Sequence, residues 1–164
     1  MTAMIRNGRT DDLPFVRDIF NHYVNDSLAA FWTMPMDDDR IRMMFEACRN
    51  WAFHVIDDDG AVLGFGMLKP WIPHDACRRT GECGYFLHPG ATGRGLGTML
   101  FESLLAQAVA LQMDGLVVKI SSENTGSIRF HERFGFVECG RIQRAGRKFD
   151  RDFDIVLMQK FLDD

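Results

Sequence analysis

From Leu87 the chain runs His88-Pro89-Gly90-Ala91-Thr92-Gly93-Arg94-Gly95-Leu96-Gly97-Thr98, with four glycines inside eight residues. Glycine takes up positive φ without steric cost and lets a backbone come close to a ligand. An apolar run leads into the turn and a helical repeat leads out. The first N–H groups of that helix therefore point at whatever lies over the turn, with the positive end of the helix dipole behind them. The chemistry this arrangement serves is the holding of an anion, a pyrophosphate above all, with Arg94 adding a charge-assisted contact. Two familiar phosphate loops do not fit. Gly90 and Gly95 have Walker A spacing, but Leu96 stands where that loop needs lysine. Gly93 and Gly95 begin a dinucleotide fingerprint, but Thr98 occupies the third glycine position, and the turn lies mid-chain. A glycine turn with no ligand is the plain alternative; four flexible positions so close together would then be costly without a use.

The elements that must position this turn are legible from periodicity. Met4–Asn7 reads as a short strand. Asp11–Val24 reads as a helix, with Pro14 tolerated in its first turn and Leu13, Val16, Phe20 and Tyr23 at helical spacing. Asp37–Asp39 opens a second helix, whose apolar side is Ile41, Met44 and Phe45. Trp51–Ile56 and Ala61–Leu68 form a hairpin around Asp58-Asp59-Gly60. Trp71 to Arg79 reads as a loop, Gly81–Leu87 as a strand, and Leu96–Leu111 as a long helix. Leu116–Ile120 is a buried strand, Thr125–Phe134 a helix, and Phe136–Arg141 and Phe153–Gln159 the closing strands. Meandering strands with helices before and after the glycine turn make an α/β or α+β fold.

Composition narrows the class. The chain has 164 residues, 46% hydrophobic and 26% charged, which suits one domain over 1–164 with a sizeable core. A net charge of −4 argues against a nucleic-acid partner, which needs a basic stripe. No apolar run approaches the roughly 20 residues that span a bilayer, and Met1–Arg6 is not leader-like, so no membrane association and a cytoplasmic location are expected. Cys48, Cys77, Cys83 and Cys139 form no C-x-x-C pair and no zinc spacing, so no metal is expected and free thiols are.

Gly93-Arg94-Gly95-Leu96-Gly97, after a strand and His88-Pro89, resembles the R/Q-x-x-G-x-G/A motif of the GNAT superfamily of N-acetyltransferases. Downstream, Asn124-x-x-Ser127-x-x-x-His131-Glu132-x-x-Gly135-Phe136 is similar to that superfamily's N-x-x-[AS]-x-x-x-[YH]-E-x-x-G-F pattern. Thr92 departs from the usual arginine or glutamine. Within the superfamily, the chain most resembles the phosphinothricin and methionine sulfoximine acetyltransferases, through Asn21-His22, Phe31-Trp32 with Pro35, Arg78-x-Thr80-x-Glu82, and Gly146-Arg147-Lys148-Phe149 with Arg151 and Asp154. The resemblance implies a central mixed, mostly antiparallel sheet of about seven strands flanked by about four helices. It implies acetyl-CoA as co-substrate, with backbone contacts from Tyr85, Phe86 and Leu87. It further implies pyrophosphate contacts from Gly93, Arg94, Gly95, Leu96, Gly97 and Thr98, and contacts at Asn124 and Ser127. It also implies a small-molecule amine acceptor and a homodimer.

Acetyl transfer to an amine needs a neutral nucleophile, a donor for the developing oxyanion and a proton for the leaving thiolate. Glu82, on the strand that enters the turn, matches the family's base position; an ion pair with Arg78 is its alternative. His131 stands where many members have a tyrosine acid, and packing against the cofactor with no proton role is its alternative. The backbone N–H groups near Tyr85–Leu87 supply the oxyanion donor. Cys83 neighbours Glu82 but points to the opposite face, which favours direct attack over an acyl-enzyme. Phe31, Trp32 and Trp71 are the expected acceptor-pocket aromatics, with Arg78 and Lys148 as candidate carboxylate partners; each of these also has a plain reading as core or as surface charge. Ile72, Cys77 and Asp152 depart from the subfamily pattern, and the departures are expected around the acceptor. The rival functions are acetylation of protein N-termini or lysines, and non-catalytic acyl-CoA binding.

Overall fold

The computed structural model describes residues 3–162. Strands β1 (Met4–Asn7), β2 (Ala52–Asp58), β3 (Ala61–Pro70), β4 (Thr80–Leu87), β5 (Gly115–Ser121), β6 (Val137–Lys148) and β7 (Arg151–Phe161) form one sheet in the order β1-β2-β3-β4-β5-β7-β6. Helices α1 (Leu13–Asp26) and α2 (Asp38–Glu46) precede the β2–β3 hairpin. Helix α3 (Leu96–Ala110) follows the glycine turn, and α4 (Thr125–Arg133) follows β5. This is the expected α/β architecture.

Neighbouring strands are antiparallel except β4 and β5, which run parallel. Their pairing covers only Thr80–Gly115, Gly81–Leu116 and Glu82–Val117. Beyond Glu82 the two strands separate, although each continues along its other neighbour. The sheet is therefore split at its centre, and the backbone groups on the facing edges have no strand to pair with.

The sheet divides the interior into two layers. One side packs Val16, Phe20 and Val24 of α1 and Ile41 of α2 against Phe53 and Phe65. There Phe53 stacks on Phe65 and Phe65 on Phe86, each at a centroid distance of 5.6 Å. The other side packs Phe101 and Leu104 of α3 against Leu68, Leu116 and Met158. Gly66 lets α3 approach β3, for a Cβ there would lie 3.1 Å from the Leu104 side chain.

Two differences from the sequence reading have physical causes. Asp12 does not extend α1: its carboxylate takes two bonds from Arg6 at 2.8 Å, and the backbone before α1 tightens into a 3-10 turn over Thr10–Asp12. Arg6 also reaches Asp57 at 2.6 Å, tying β1, β2 and this turn together. Strands β6 and β7 are longer than expected, with Lys148 paired to Arg151 across the tip. The two tip residues, Phe149 and Asp150, take φ +53° and +57°, values that a turn normally assigns to glycine or asparagine.

Candidate active site

The break between β4 and β5 opens a cavity of about 580 Å³, lined by Tyr85, Leu87, Gly93, Gly97, Asn124, Ser127 and His131 among others. Register decides which backbone groups face it. His88 N–H donates to Leu63 O at 2.8 Å, and an antiparallel ladder alternates every residue. Phe86 and Gly84 therefore spend their backbone groups on β3, while Tyr85 and Leu87 turn theirs toward the open side. The Leu87 carbonyl there accepts from the Tyr23 hydroxyl at 2.7 Å.

The glycine turn closes one end. Gly93 and Gly95 have φ +73° and +77°, and a Cβ at either would meet nothing within 4 Å. Conformation, not crowding, requires glycine here, and the space above the turn is open. Gly95 caps α3 without a side chain, and among the described residues the N–H groups of Leu96, Gly97 and Thr98 have no protein acceptor. Such a set of free donors at a 15-residue helix suits a pyrophosphate. The Leu96 side chain is buried beside Ala91 and Leu100, so only its backbone is available to a ligand. Arg94 is exposed and does not line the cavity.

At the opposite wall, Asn124 caps α4 by accepting from Ser127 N–H at 3.2 Å. His131 is buried, with Nδ1 2.7 Å from the Ser127 carbonyl. Because a carbonyl only accepts, Nδ1 carries the hydrogen, and Nε2 accepts from the Tyr85 hydroxyl. Burial lowers the His131 pKa against the opposing pull of the Ser127 carbonyl, and burial raises that of Tyr85 well above its usual value. Both ring nitrogens of His131 are thus already paired. The hydroxyl of Tyr85, a residue the sequence reading used only for its backbone, holds the exchangeable proton of this pair.

A second cavity of about 710 Å³ lies across β4, lined by Phe31, Trp32, Met36, Arg40, Glu82 and Lys119 among others. Ala29, Cys83, Gly84, Phe86 and Lys119 line both cavities, so the two meet at the strand break. Glu82 sits at that junction. Its carboxylate is 2.9 Å from Lys119 Nζ and 3.7 Å from Lys69 Nζ, not in the ion pair with Arg78 that was the alternative. Lys119 also stands 5.5 Å above the Trp71 ring. The Cys83 thiol is buried and pushed up to about 12, chiefly by loss of solvent, which leaves it protonated and unsuited to attack.

The structure brings Glu82, Phe31 and Trp32 into one cavity and Tyr85, Leu87, Gly93, Gly97, Asn124, Ser127 and His131 into the other. Three expected acceptor residues lie elsewhere. Trp71 acts on the site through Lys119. Arg78 lines a separate cleft with Arg79, Trp51 and Gln112. Lys148, expected as a carboxylate partner or else as a surface charge, is buried, and its ammonium donates to the carbonyls of Ser27 at 2.7 Å, Ala30 at 2.9 Å and Tyr23 at 3.4 Å. Its three donors are used, so it shapes the loop that carries Phe31 and Trp32. Of the altered positions, Ile72 and Asp152 are exposed and line neither cavity, and Asp152 pairs with Arg147 at 2.9 Å. The departures therefore do not surround the acceptor cavity as expected. Sequence reasoning missed Lys119, Lys69 and Arg40; the alternation that puts Lys119 beside Glu82 depends on the β4–β5 register, which no local pattern reveals.

A split sheet with a glycine turn at the N-terminus of a helix beyond the split is the build of an acyl-CoA-dependent transferase. The profile of the Acetyltransferase (GNAT) family matches residues 16–136, and the chain belongs to that family. It is 32% identical over 166 residues to an L-methionine sulfoximine/L-methionine sulfone acetyltransferase of Pseudomonas paraeruginosa, covering 99% of this chain and 96% of that one. It is 33% identical to a phosphinothricin N-acetyltransferase of Alcaligenes faecalis, over 95% of this chain and 81% of that one. A solved structure of a Salmonella typhimurium acetyltransferase with its cofactor acetyl-CoA superposes with a TM-score of 0.93 at 30% identity, covering 100% of this chain and 96% of that one.

Proposed function

We propose that this protein is an acetyl-CoA-dependent N-acetyltransferase that acetylates the amine of a small amino acid or amino-acid analogue by direct attack. The observation that carries the reading is the junction of two cavities at the β4–β5 break, with the unpaired donors of α3 at one end and Glu82 at the other. The acetyl thioester supplies the activated acyl group. Gly93 to Thr98 hold its pyrophosphate, and the open-edge backbone of Tyr85 and Leu87 holds the chain between; Asn124 and Ser127 line the far wall.

Transfer exchanges a C–S bond for a C–N bond, and the proton that the amine sheds balances the one the thiol gains. Glu82 receives the amine's proton. Lys119 and Lys69 beside it disfavour a third cation, which tilts the acceptor toward its neutral, nucleophilic form. Tyr85, oriented by His131, serves the thiol side, and the open-edge N–H groups meet the oxyanion as it develops. The buried, protonated Cys83 agrees with direct attack rather than an acyl-enzyme.

The same reading takes the chain as one acetyltransferase domain over 1–164, working in the cytoplasm as a homodimer, with no metal, nucleic-acid or membrane partner. The test is thiol release from acetyl-CoA with a panel of free amino acids, methionine sulfoximine, methionine sulfone, polyamines and peptides. Amine-dependent release with an acetylated product is expected; acetyl-CoA binding without release from any amine would leave an acyl-CoA-binding module.

A further inference from the structure

Strand β5 lies inside the sheet and is buried along its length except at Lys119. An ammonium within Leu116-Val117-Val118-Lys119-Ile120 is out of keeping with its apolar neighbours. The fold accommodates it because β4 and β5 part just before it, so that Lys119 stands in the opening. Side chains alternate along a strand, which sends Lys119 to the same face as Val117, and Val117 is paired across the sheet with Glu82. The result is the 2.9 Å contact between Lys119 Nζ and the Glu82 carboxylate. The Trp71 ring, 5.5 Å from the same nitrogen, holds it from another side.

The chain has four lysines, and one of them differs from the rest in what it faces. Lys119 lines both the first cavity and the second. Lys69 shares the Glu82 carboxylate at 3.7 Å, yet it lines the second cavity alone. Lys148 is buried and held by three carbonyls, and Lys160 lines neither cavity. Lys119 is therefore the lysine whose nitrogen stands at the junction, against the carboxylate assigned as base.

We propose that Lys119 is an internal acetyl acceptor: with acetyl-CoA bound and no amine in the second cavity, its own nitrogen takes the acetyl group, and the amide so formed halts further turnover. This rests on the acetyltransferase reading above and adds a modification site to it. The ammonium first passes one proton to Glu82, which releases it to water. The neutral amine then attacks the thioester carbonyl. The C–N bond forms, the C–S bond breaks, and the second proton lost from nitrogen balances the one that the departing thiolate gains. The products are acetyl-lysine, free CoA and one proton, with no further reactant. Acetylation removes the charge of a lysine. Lys119 thereby loses its hold on Glu82 and on the Trp71 ring, and the added acetyl group stays at the junction that an incoming amine must use.

The experiment incubates the protein with acetyl-CoA and no amine, and follows intact mass, the modified peptides and thiol release. A single acetyl group of about 42 Da is expected per chain, on Lys119, with an equal amount of thiol. Its half-time should not depend on protein concentration, and Lys119 should react at least about tenfold faster than Lys69, as an oriented reaction within one molecule requires. Glu82→Gln should slow the modification by about 10²–10⁴, and Lys119→Arg should keep its unmodified mass. In samples withdrawn over time, thiol release with the fastest amine of the panel above should fall in step with the acetylated fraction. Transfer to amines of the panel while Lys119 stays unmodified would overturn this inference and leave the acetyltransferase reading standing. Lys69 acetylated as fast as Lys119, a half-time that shortens as protein concentration rises, or full turnover by the acetylated chain would each overturn it as well. A protein that transfers acetyl neither to Lys119 nor to any amine would overturn both.

Discussion

Replacing Lys148 with methionine tests whether the loop that carries Phe31 and Trp32 is held by a buried cation. The side chain keeps its length and loses its ammonium. Two close hydrogen bonds disappear, to Ser27 O at 2.7 Å and Ala30 O at 2.9 Å, while the contact to Tyr23 O at 3.4 Å is long enough to count for little. Hydrogen bonds to a charged group are worth about 1.5–3 kcal/mol each. Burial pushes the Lys148 pKa down, which shows that the folded protein already bears a cost for holding this charge, and methionine removes it. The net loss is therefore expected at about 2–4 kcal/mol, between one and two such bonds. In a chain of this size each kcal/mol lowers Tm by about 2–4 °C, so Lys148→Met should melt about 4–16 °C below the wild type. The same bonds join the β6–β7 hairpin to the loop, and Phe31 stacks on Phe153 of β7 at 5.8 Å. KM for the acceptor should therefore rise several-fold more than KM for acetyl-CoA. Thermal melts and paired titrations measure both. A variant with wild-type Tm and wild-type acceptor KM would refute the reasoning, because no structural role would remain for a cation with three carbonyl partners.

Glu82→Gln keeps the shape of the junction and removes the base. It should lower kcat by about 10²–10⁴ while acetyl-CoA binding, measured by calorimetry, stays near the wild type; undiminished turnover would exclude Glu82 as proton acceptor. Tyr85→Phe and His131→Phe break the same hydrogen bond from opposite ends, so each should slow turnover by a similar factor and the double variant should be little worse. Fully additive losses in that cycle would show that the two act separately. Stability should also depend on pH through His131, whose folded pKa lies below the ordinary value near 6.5. As pH falls through about 6.5 the unfolded chain takes up the proton first, so this contribution is full above that pH and fades as pH falls toward the folded pKa. Tm plotted against pH should flatten in His131→Gln. His54, lowered by burial alone, contributes a parallel slope that His131→Gln leaves in place; identical profiles for wild type and variant would remove His131 from the account.

The helices and most strands were legible because their signals are local. Asp37 does accept from Arg40 N–H at 2.9 Å as the cap of α2, and Asp59 and Gly60 do turn the β2–β3 hairpin with φ +57° and +89°. The tip of β6–β7 was not legible, since Phe149, at φ +53°, carries none of the usual turn chemistry and Asp150 alone is a weak signal. What sets that hairpin is tertiary. Gly146 lies so close to Phe153 that a Cβ would stand 2.1 Å from its ring, and Lys148 reaches across to α1 and the following loop. The split between β4 and β5 was equally hidden. Both strands look continuous in sequence, and only the register shows pairing that ends at Glu82 and Val117.

The same distinction explains which charged residues were misread. A cation's chemistry is decided by what it faces, and composition says nothing of that. Arg78 precedes Glu82 by four residues, yet the helical turn at Asp75–Cys77 and the bend after it send it to a different cleft. Lys148 stands in a run of basic residues that reads as solvated surface, and it is the one that the fold buries. Arg40, which belongs to none of the motifs, lines the second cavity, and among the described residues its guanidinium has no carboxylate partner. Motif positions pointed to the glycine turn and the start of α3, where Gly93 and Gly97 line a cavity, because glycine conformation and helix dipoles act through neighbouring residues. The second cavity is assembled from α1, α2, β3, β4 and β5, so the surroundings of each of its cations are set by packing between elements distant in sequence.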